Sequence, residues 1–219
     1  AESFQRHLDA GATAGVNYVH SFLELKGINS IDFVEDLPRG VSATLRAGAA
    51  FRDEEDGASE VQPTLAGTLR TAMQPLPETY VTMAGSAGGR WYAGESRGWQ
   101  VGGAVHAFQT SLPHQTIAAS LTFDAAFESQ DLIPQFTLGE DNGLRGYPAR
   151  EFGGSRRVRL NIENRIDTGL EILSVHIGAV AFFDAGWIHA RDIGLSLSDS
   201  IKSVGGGLRL ASSAVSYTH

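Results

Sequence analysis

Hydrophobic and polar positions alternate along most of this chain. In 117–128, Ile117, Ala119, Leu121, Phe123, Ala125 and Phe127 interleave with Ala118, Ser120, Thr122, Asp124, Ala126 and Glu128. In 157–166, Val158, Leu160, Ile162 and Ile166 form one set and Arg157, Arg159, Asn161, Glu163 and Arg165 the other. A period of two sends successive side chains to opposite faces of a strand. Both segments are therefore predicted as strands with one oily face and one polar face. The same pattern predicts strands over 41–51, 65–73, 78–90, 99–110, 175–184 and 202–210, and a weaker one over 14–25. Turn-forming residues punctuate them at 37–40, 53–57, 75–77, 94–98, 112–114 and 192–200. A helical period is limited to 3–8 at most. The expected fold class is all-β, an antiparallel meander of about nine strands.

The ionic row of 157–166 narrows the choice of architecture. A soluble sandwich strand usually mixes Thr and Lys on its outer face, whereas a water-filled barrel interior accommodates several ionic groups in succession. Short links such as 75–77 alternate with long ones such as 130–155, as the short periplasmic turns and long outer loops of outer-membrane barrels do. Tyr80, Trp91, Tyr92, Trp99, Trp187 and Tyr217 lie near strand ends. They suit interfacial girdles, and ordinary core packing accounts for them equally well.

Composition agrees with that picture. Charged residues make up 19% of the 219 residues, and 26 are glycine; soluble domains average about 25% and about 7%. Seventeen Lys and Arg against twenty-five Asp and Glu give a net charge of −8, the wrong sign for phosphate neutralisation, so nucleic acid is not an expected partner. The chain has no cysteine, which removes disulfides, thiolate zinc sites and cysteine nucleophiles. No apolar run reaches the 18 or more residues of a membrane helix, but membrane strands of about 9–11 alternating residues escape that test.

Residues 136–148 read FTLGEDNGLRGYP. The run Leu144, Arg145, Gly146, Tyr147 resembles the sixth extracellular loop signature of the outer-membrane assembly factor and two-partner-secretion transporter superfamily, which includes barrel insertases and the bacterial surface antigen group. The resemblance continues with Glu163 in NIENRI, then Phe182, Asp184 and Gly186 in VAFFDAG, then the glycine-rich VGGGLRL of 204–210. VEDLPRG at 34–40 is similar to a turn and strand start upstream in surface-antigen members. The similarity spans 34 to the carboxyl end and is most specific between 139 and 186.

The chemistry of the motif stands beside the resemblance. Arg145 lies among Gly139, Asn142, Gly143 and Gly146, so the backbone is free to fold back sharply. Glu163 and Asp184 fall on the polar faces of two neighbouring strands, Glu163 with Arg159 and Asn161, Asp184 with His176 and Gly178. A guanidinium matches such carboxylates as a planar fork, at about 1.5–3 kcal/mol per charge-assisted bond where water is excluded. Arg145 is expected to reach inward and bind Asp184, Glu163 or both, pinning the loop inside the barrel; an exposed arginine with no fixed partner is the competing expectation. Ile117, Leu121, Phe123, Phe127, Val158, Leu160 and Ile162 are expected to face lipid.

The resemblance implies a sixteen-stranded barrel at the bacterial outer membrane that inserts or translocates polypeptide. Its partners would be outer-membrane lipid, client or secreted polypeptides and periplasmic accessory proteins. No cofactor and no metal is implied. The 219 residues would form part of one barrel domain truncated at both ends, because about three strands follow the loop motif where five are expected, and Val215, Tyr217 and His219 read as another strand beginning. Two other readings stay open: a soluble β-sandwich or barrel acting as a binding module, and a passive outer-membrane pore. An enzyme is not expected. Ala84-Gly85-Ser86-Ala87-Gly88 lacks the first glycine of a nucleophile elbow and sits in a strand-like run, and the seven histidines have no metal-ligand spacing.

Overall fold

The computed structural model describes residues 7–26, 34–53, 59–92, 94–127, 136–189 and 197–212. They are almost entirely strand. β1 (His7–Lys26), β2 (Val34–Asp53), β3 (Ser59–Leu76), β4 (Thr79–Tyr92), β5 (Glu95–Gln109) and β6 (Gln115–Phe127) follow one another; the short β7 (Phe136–Leu138) and β8 (Phe152–Gly154) come next, then β9 (Arg156–Ile172), β10 (Val175–His189) and β11 (Ile201–Ser212). Nine of them form one antiparallel sheet in the order β1-β2-β3-β4-β5-β6-β9-β10-β11, and β7 pairs with β8. Among the described residues no register joins β1 to β11, and no helix is long and apolar enough to cross a membrane.

Register follows the alternation. Leu121 stands opposite Leu160, and Leu160 opposite Ala185; one step along, Ser120 faces Asn161 and Asn161 faces Asp184. A slip of one residue would exchange the faces of a whole strand, so these pairings carry one apolar face and one polar face across the sheet. The apolar face is formed by Val41, Leu45 and Phe51 on β2, Leu65 and Leu69 on β3, Val81 and Met83 on β4, Val101 and Val105 on β5, and Val204, Leu208 and Leu210 on β11. Between β5 and β10 it continues through Ile117, Leu121, Phe123, Phe127, Val158, Leu160 and Ile162. None of these positions carries a charge.

Among the described residues no second layer covers this face. Leu121 and Phe123 are each 49% exposed, and Val204 and Leu208 are 76% and 74% exposed. Ile117, Phe127 and Ile162 are also exposed, with Val158 and Leu160 half-buried beside them. Burial lies instead on the polar face, where the segment between β6 and β9 folds back against β9 and β10. The largest fully buried side chains among the described residues are Leu138, Leu144 and Asp184, all in that region.

Several boundaries differ from the pattern-based expectation. Leu37, Pro38, Arg39 and Gly40 do not form a turn; they run inside β2, paired with β1 from Leu23↔Leu37 to Val19↔Gly40. A bulge between Val19 and Ser21 absorbs the irregularity there, and Pro38 is tolerated because a bulge relaxes the ladder's demand for N–H donors. The link at 94–98 shrinks as well: Tyr92↔Glu95 and Trp91↔Ser96 pair, so strand structure resumes at Glu95. The Ala84–Gly88 run lies within β4, paired on both sides.

The 130–155 link holds a two-stranded ribbon and a 3₁₀ turn at Glu140–Asn142, which alternation alone did not reveal because each piece spans three residues. His7 and Leu8 belong to β1 rather than to a helical turn. Residues 3–6, 54–57, 130–135, 192–196 and the alternating tail from Val215 to His219 lie outside the described residues.

Candidate functional site

The loop between β6 and β9 enters its turn through local hydrogen bonds. Asn142 Oδ1 accepts from the Gly139 amide at 2.8 Å, and Asn142 Nδ2 donates to Thr137 Oγ1 at 2.8 Å. Leu144 N donates to Gly139 O at 2.9 Å. Gly143 and Gly146 then take φ of 99° and 84°, a region in which L side chains are strained. These two reversals push Leu144 and Arg145 toward the sheet. Leu144 and Leu138 bury completely, and Gly186 of β10 leaves the space they fill: a Cβ on it would lie 2.8 Å from a methyl of Leu138.

Arg145 is held on every side. Its Nε and Nη2 donate to Asp184 Oδ2 and Oδ1 at 2.8 and 2.7 Å, and Nη1 donates to Glu163 Oε1 at 2.6 Å. Its backbone N–H also donates to Asp184 Oδ2, at 3.2 Å. The guanidinium lies 3.7 Å from the centroid of the Phe182 ring, and the outer edge of that ring lies over Gly205 of β11, where a Cβ would meet its Cζ at 2.5 Å. The arginine is thus forked onto one carboxylate, bonded to a second and stacked on an aromatic face. Hydrogen bonds to Asp184, and secondarily to Glu163, raise its pKa against the opposing effect of burial.

Both carboxylates are themselves positioned. Asp184 is fully buried, and Asn161 Nδ2 donates to its Oδ1 at 2.8 Å. Arg165 Nε donates to Glu163 Oε2 at 2.7 Å. The polar row of β9 also grips the loop backbone: Asn161 Nδ2 donates to Gly143 O at 2.6 Å, Arg159 Nη1 donates to Asn142 O, and Arg157 Nη1 donates to Thr137 O at 2.7 Å. Arg157 is fixed in turn by Asp124 at 2.9 and 2.6 Å, and Arg159 by Thr122 at 2.9 Å. Tyr147 OH donates to Lys202 O at 3.1 Å, and its ring packs edge-on against Phe152.

The structure therefore brings Leu144, Arg145, Gly146, Tyr147, Glu163 and Asp184 together. Ile117, Leu121, Phe123, Phe127, Val158, Leu160 and Ile162 share the opposite face, away from this cluster. Sequence reasoning placed Arg157, Arg159 and Asn161 on the right face but did not assign them the loop carbonyls, and it missed Phe182 as the surface beneath Arg145. Alternation held a signal for Phe182, which shares the parity of Asp184. The loop carbonyls had none, since they depend on how the loop folds. Among the described residues no group of His, Asp or Glu is arranged to hold a metal ion. No family model matches the chain, and no curated protein matches it.

Chemically, the arrangement is a latch. It has no nucleophile activated by a base, and its charges are consumed by one another. Arg145→Ala would leave the buried Asp184 carboxylate with Asn161 as its main side-chain partner, a loss of about 3–5 kcal/mol for breaking a buried pair. Amide hydrogen exchange in 139–147 should then accelerate by about two to four decades. Arg145→Lys should recover only part of that protection, because an ammonium cannot span Asp184 and Glu163 together. Full protection in Arg145→Lys would show that charge alone holds the loop.

Leu144→Ala tests the apolar half of the latch. Truncating a fully buried leucine costs about 2–5 kcal/mol, and the same exchange measurement should show the loop loosened with the ion pairs intact. Wild-type protection in this variant would mean that Leu144 fills space without securing the loop.

Proposed function

We propose that this chain is part of an outer-membrane β-barrel that inserts or translocates polypeptides, and that the loop carrying Arg145 is latched to the inner, water-facing side of the barrel wall. The observation that carries the reading is the pairing of opposites on one sheet: an uncovered apolar face, and behind it an ionic face occupied by the chain's own loop. The motif residues on which the resemblance to the assembly and secretion superfamily rests, Arg145, Glu163 and Asp184, converge in that latch.

Dimensions support the membrane part. On the apolar face of β9, Val158, Leu160 and Ile162 lie between Arg156 and Asn164, eight positions apart. At about 3.3 Å per residue these polar residues are about 26 Å apart along the strand, and a tilt of about 40° leaves about 20 Å along the membrane normal, of the order of the roughly 25 Å apolar band of such barrels. All nine strands of the sheet hold twelve or more residues, above the 9–11 or so that a tilted crossing needs. A soluble binding module would need polar side chains where Leu121, Phe123, Val204 and Leu208 stand. A passive pore shares the barrel and differs in what the loop does.

Phe123→Arg and Leu160→Arg should each cost about 2–4 kcal/mol in unfolding from lipid vesicles. Thr122→Ala, one residue along on the polar face, removes only the hydroxyl that holds Arg159 and should cost about 1–1.5 kcal/mol, less than either arginine variant. Equal and small effects at 122, 123 and 160 would remove the lipid-facing assignment. Function is tested by reconstituting the full-length protein in liposomes and following protease protection of a strand-forming client polypeptide. Arg145→Ala should lower the rate of client insertion or translocation at least tenfold with the barrel still folded. An unchanged rate together with ordinary ion conductance would favour the passive pore.

A further inference from the structure

The apolar face ends, at the loop-bearing end of the sheet, in a cluster that the latch does not use. All three tryptophans of the chain are there: Trp91 at the end of β4, Trp99 near the start of β5 and Trp187 near the end of β10. Trp91 and Trp99 meet edge to face at 5.4 Å, and the Trp99 indole lies across the backbone of Gly89. Phe127 pairs in register with Trp99. Arg156 and His189 stand opposite each other where β9 and β10 pair, and Arg156 also stands opposite Ala125, whose small side chain leaves the guanidinium free to lie over the Phe127 ring at 5.9 Å.

Four nitrogens of this cluster are unsatisfied. Trp99 Nε1, Trp187 Nε1, Arg156 Nε and His189 Nε2 have no hydrogen-bond partner, which makes them half of the unpaired buried side-chain polar atoms among the described residues. Buried polar atoms are normally paired, so each unpaired one calls for an explanation. The carboxylate that could have answered Arg156 is out of reach: Asp124, next to Ala125 on β6, points to the opposite face and is taken by Arg157. The apolar face here thus ends in a cation, an imidazole and two indole N–H groups with no carboxylate among them.

We infer that Arg156 and His189, which stand opposite each other, form a binding site for the anionic phosphate headgroup of a membrane lipid, with Trp99 and Trp187 in the aromatic belt around it. The inference rests on the membrane reading above. Arg156 lies four residues from Leu160, about 13 Å along the strand and about 10 Å along the normal at a 40° tilt. With Leu160 near the midplane, the guanidinium comes to the level where acyl chains give way to headgroups. There the guanidinium fork matches phosphate oxygens, and the indole rings pack against the acyl chains.

Because every tryptophan of the chain lies in the cluster, lipid contact is readable by fluorescence. The protein, folded in neutral detergent micelles, is titrated with phosphatidylglycerol or with phosphatidylcholine, each carrying brominated acyl chains that quench indoles on contact. The site predicts that phosphatidylglycerol half-quenches at a mole fraction at least fivefold below that of phosphatidylcholine. The Arg156→Ala/His189→Ala double variant should bring the two within twofold, and Arg156→Lys should retain most of the preference. Inorganic phosphate at 10 mM should leave the preference in place.

Equal quenching of the wild type by the two lipids, or a preference that survives the double variant, overturns the site while the membrane reading stands. Quenching by neither lipid overturns the membrane reading with it. Loss of the preference in inorganic phosphate would assign the cluster to a free anion and overturn the lipid assignment.

Discussion

The constraint on which this structure depends is the two-residue period of a strand that has no second layer to pack against. In a sandwich, one face of each sheet is buried by another sheet, and the fold is held by the apolar area removed from water between them. Here one sheet of nine strands keeps its apolar face uncovered and its ionic face occupied by a loop. Backbone hydrogen bonds across eight antiparallel pairings hold the strands together, and their register decides which face each side chain takes. Few large residues bury fully, and those that do sit beneath the loop.

That loop is retained by complementary charges in a place where water is scarce. Asp184 has no exposure, so its charge depends on the Arg145 fork and on Asn161 for solvation. Glu163 remains partly open to solvent and shares itself between Arg145 and Arg165, so its bond to the latch is weaker in effect. The carboxylate buried most deeply is the one whose partner matters most. Around this centre, Arg157, Arg159 and Asn161 bind loop carbonyls rather than side chains. The latch therefore recognises the folded backbone of the loop as well as its arginine.

The sheet was legible in the sequence because alternation is a local signal repeated nine times. Rows such as Ile117 to Phe127, or Arg157 to Arg165, declare both the strand and its two faces. The meeting of Arg145 with Asp184 and Glu163 was legible only with the resemblance carried by the run Leu144 to Tyr147: a guanidinium in a glycine-rich turn and two carboxylates at polar-face positions of adjacent strands left an exposed, unpartnered arginine open as well. What escaped was structure decided by tertiary contact. Pro38 and Gly40 read as a turn and became strand, because the β1 partner and its bulge overrode local preference. The 3₁₀ turn at Glu140–Asn142 exists because Asn142 caps Gly139 and the loop is pressed against β9, and no period announces an element of three residues. Asn161 was visible as a polar-face residue, but the two hydrogen bonds its Nδ2 donates, to Gly143 O and Asp184 Oδ1, depend on the docked loop.

Adjacent arginines at 156 and 157 show how completely the alternation governs chemistry. They have the same side chain and neighbouring backbones, yet their environments are opposite. Arg157 turns to the polar face, where Asp124 and the Thr137 carbonyl satisfy it. Arg156 turns to the apolar face, where an aromatic ring is beside it and its Nε has no acceptor. In a protein bathed in water on both sides, the second arrangement would cost little, since solvent would pair the nitrogen at the surface. In a wall between water and hydrocarbon, the same guanidinium is tolerable only at the rim of the apolar band, because a central position would place its charge among acyl chains. On the proposed membrane reading, its place four residues from Leu160, beyond Val158, sets the cation at that rim rather than among the chains.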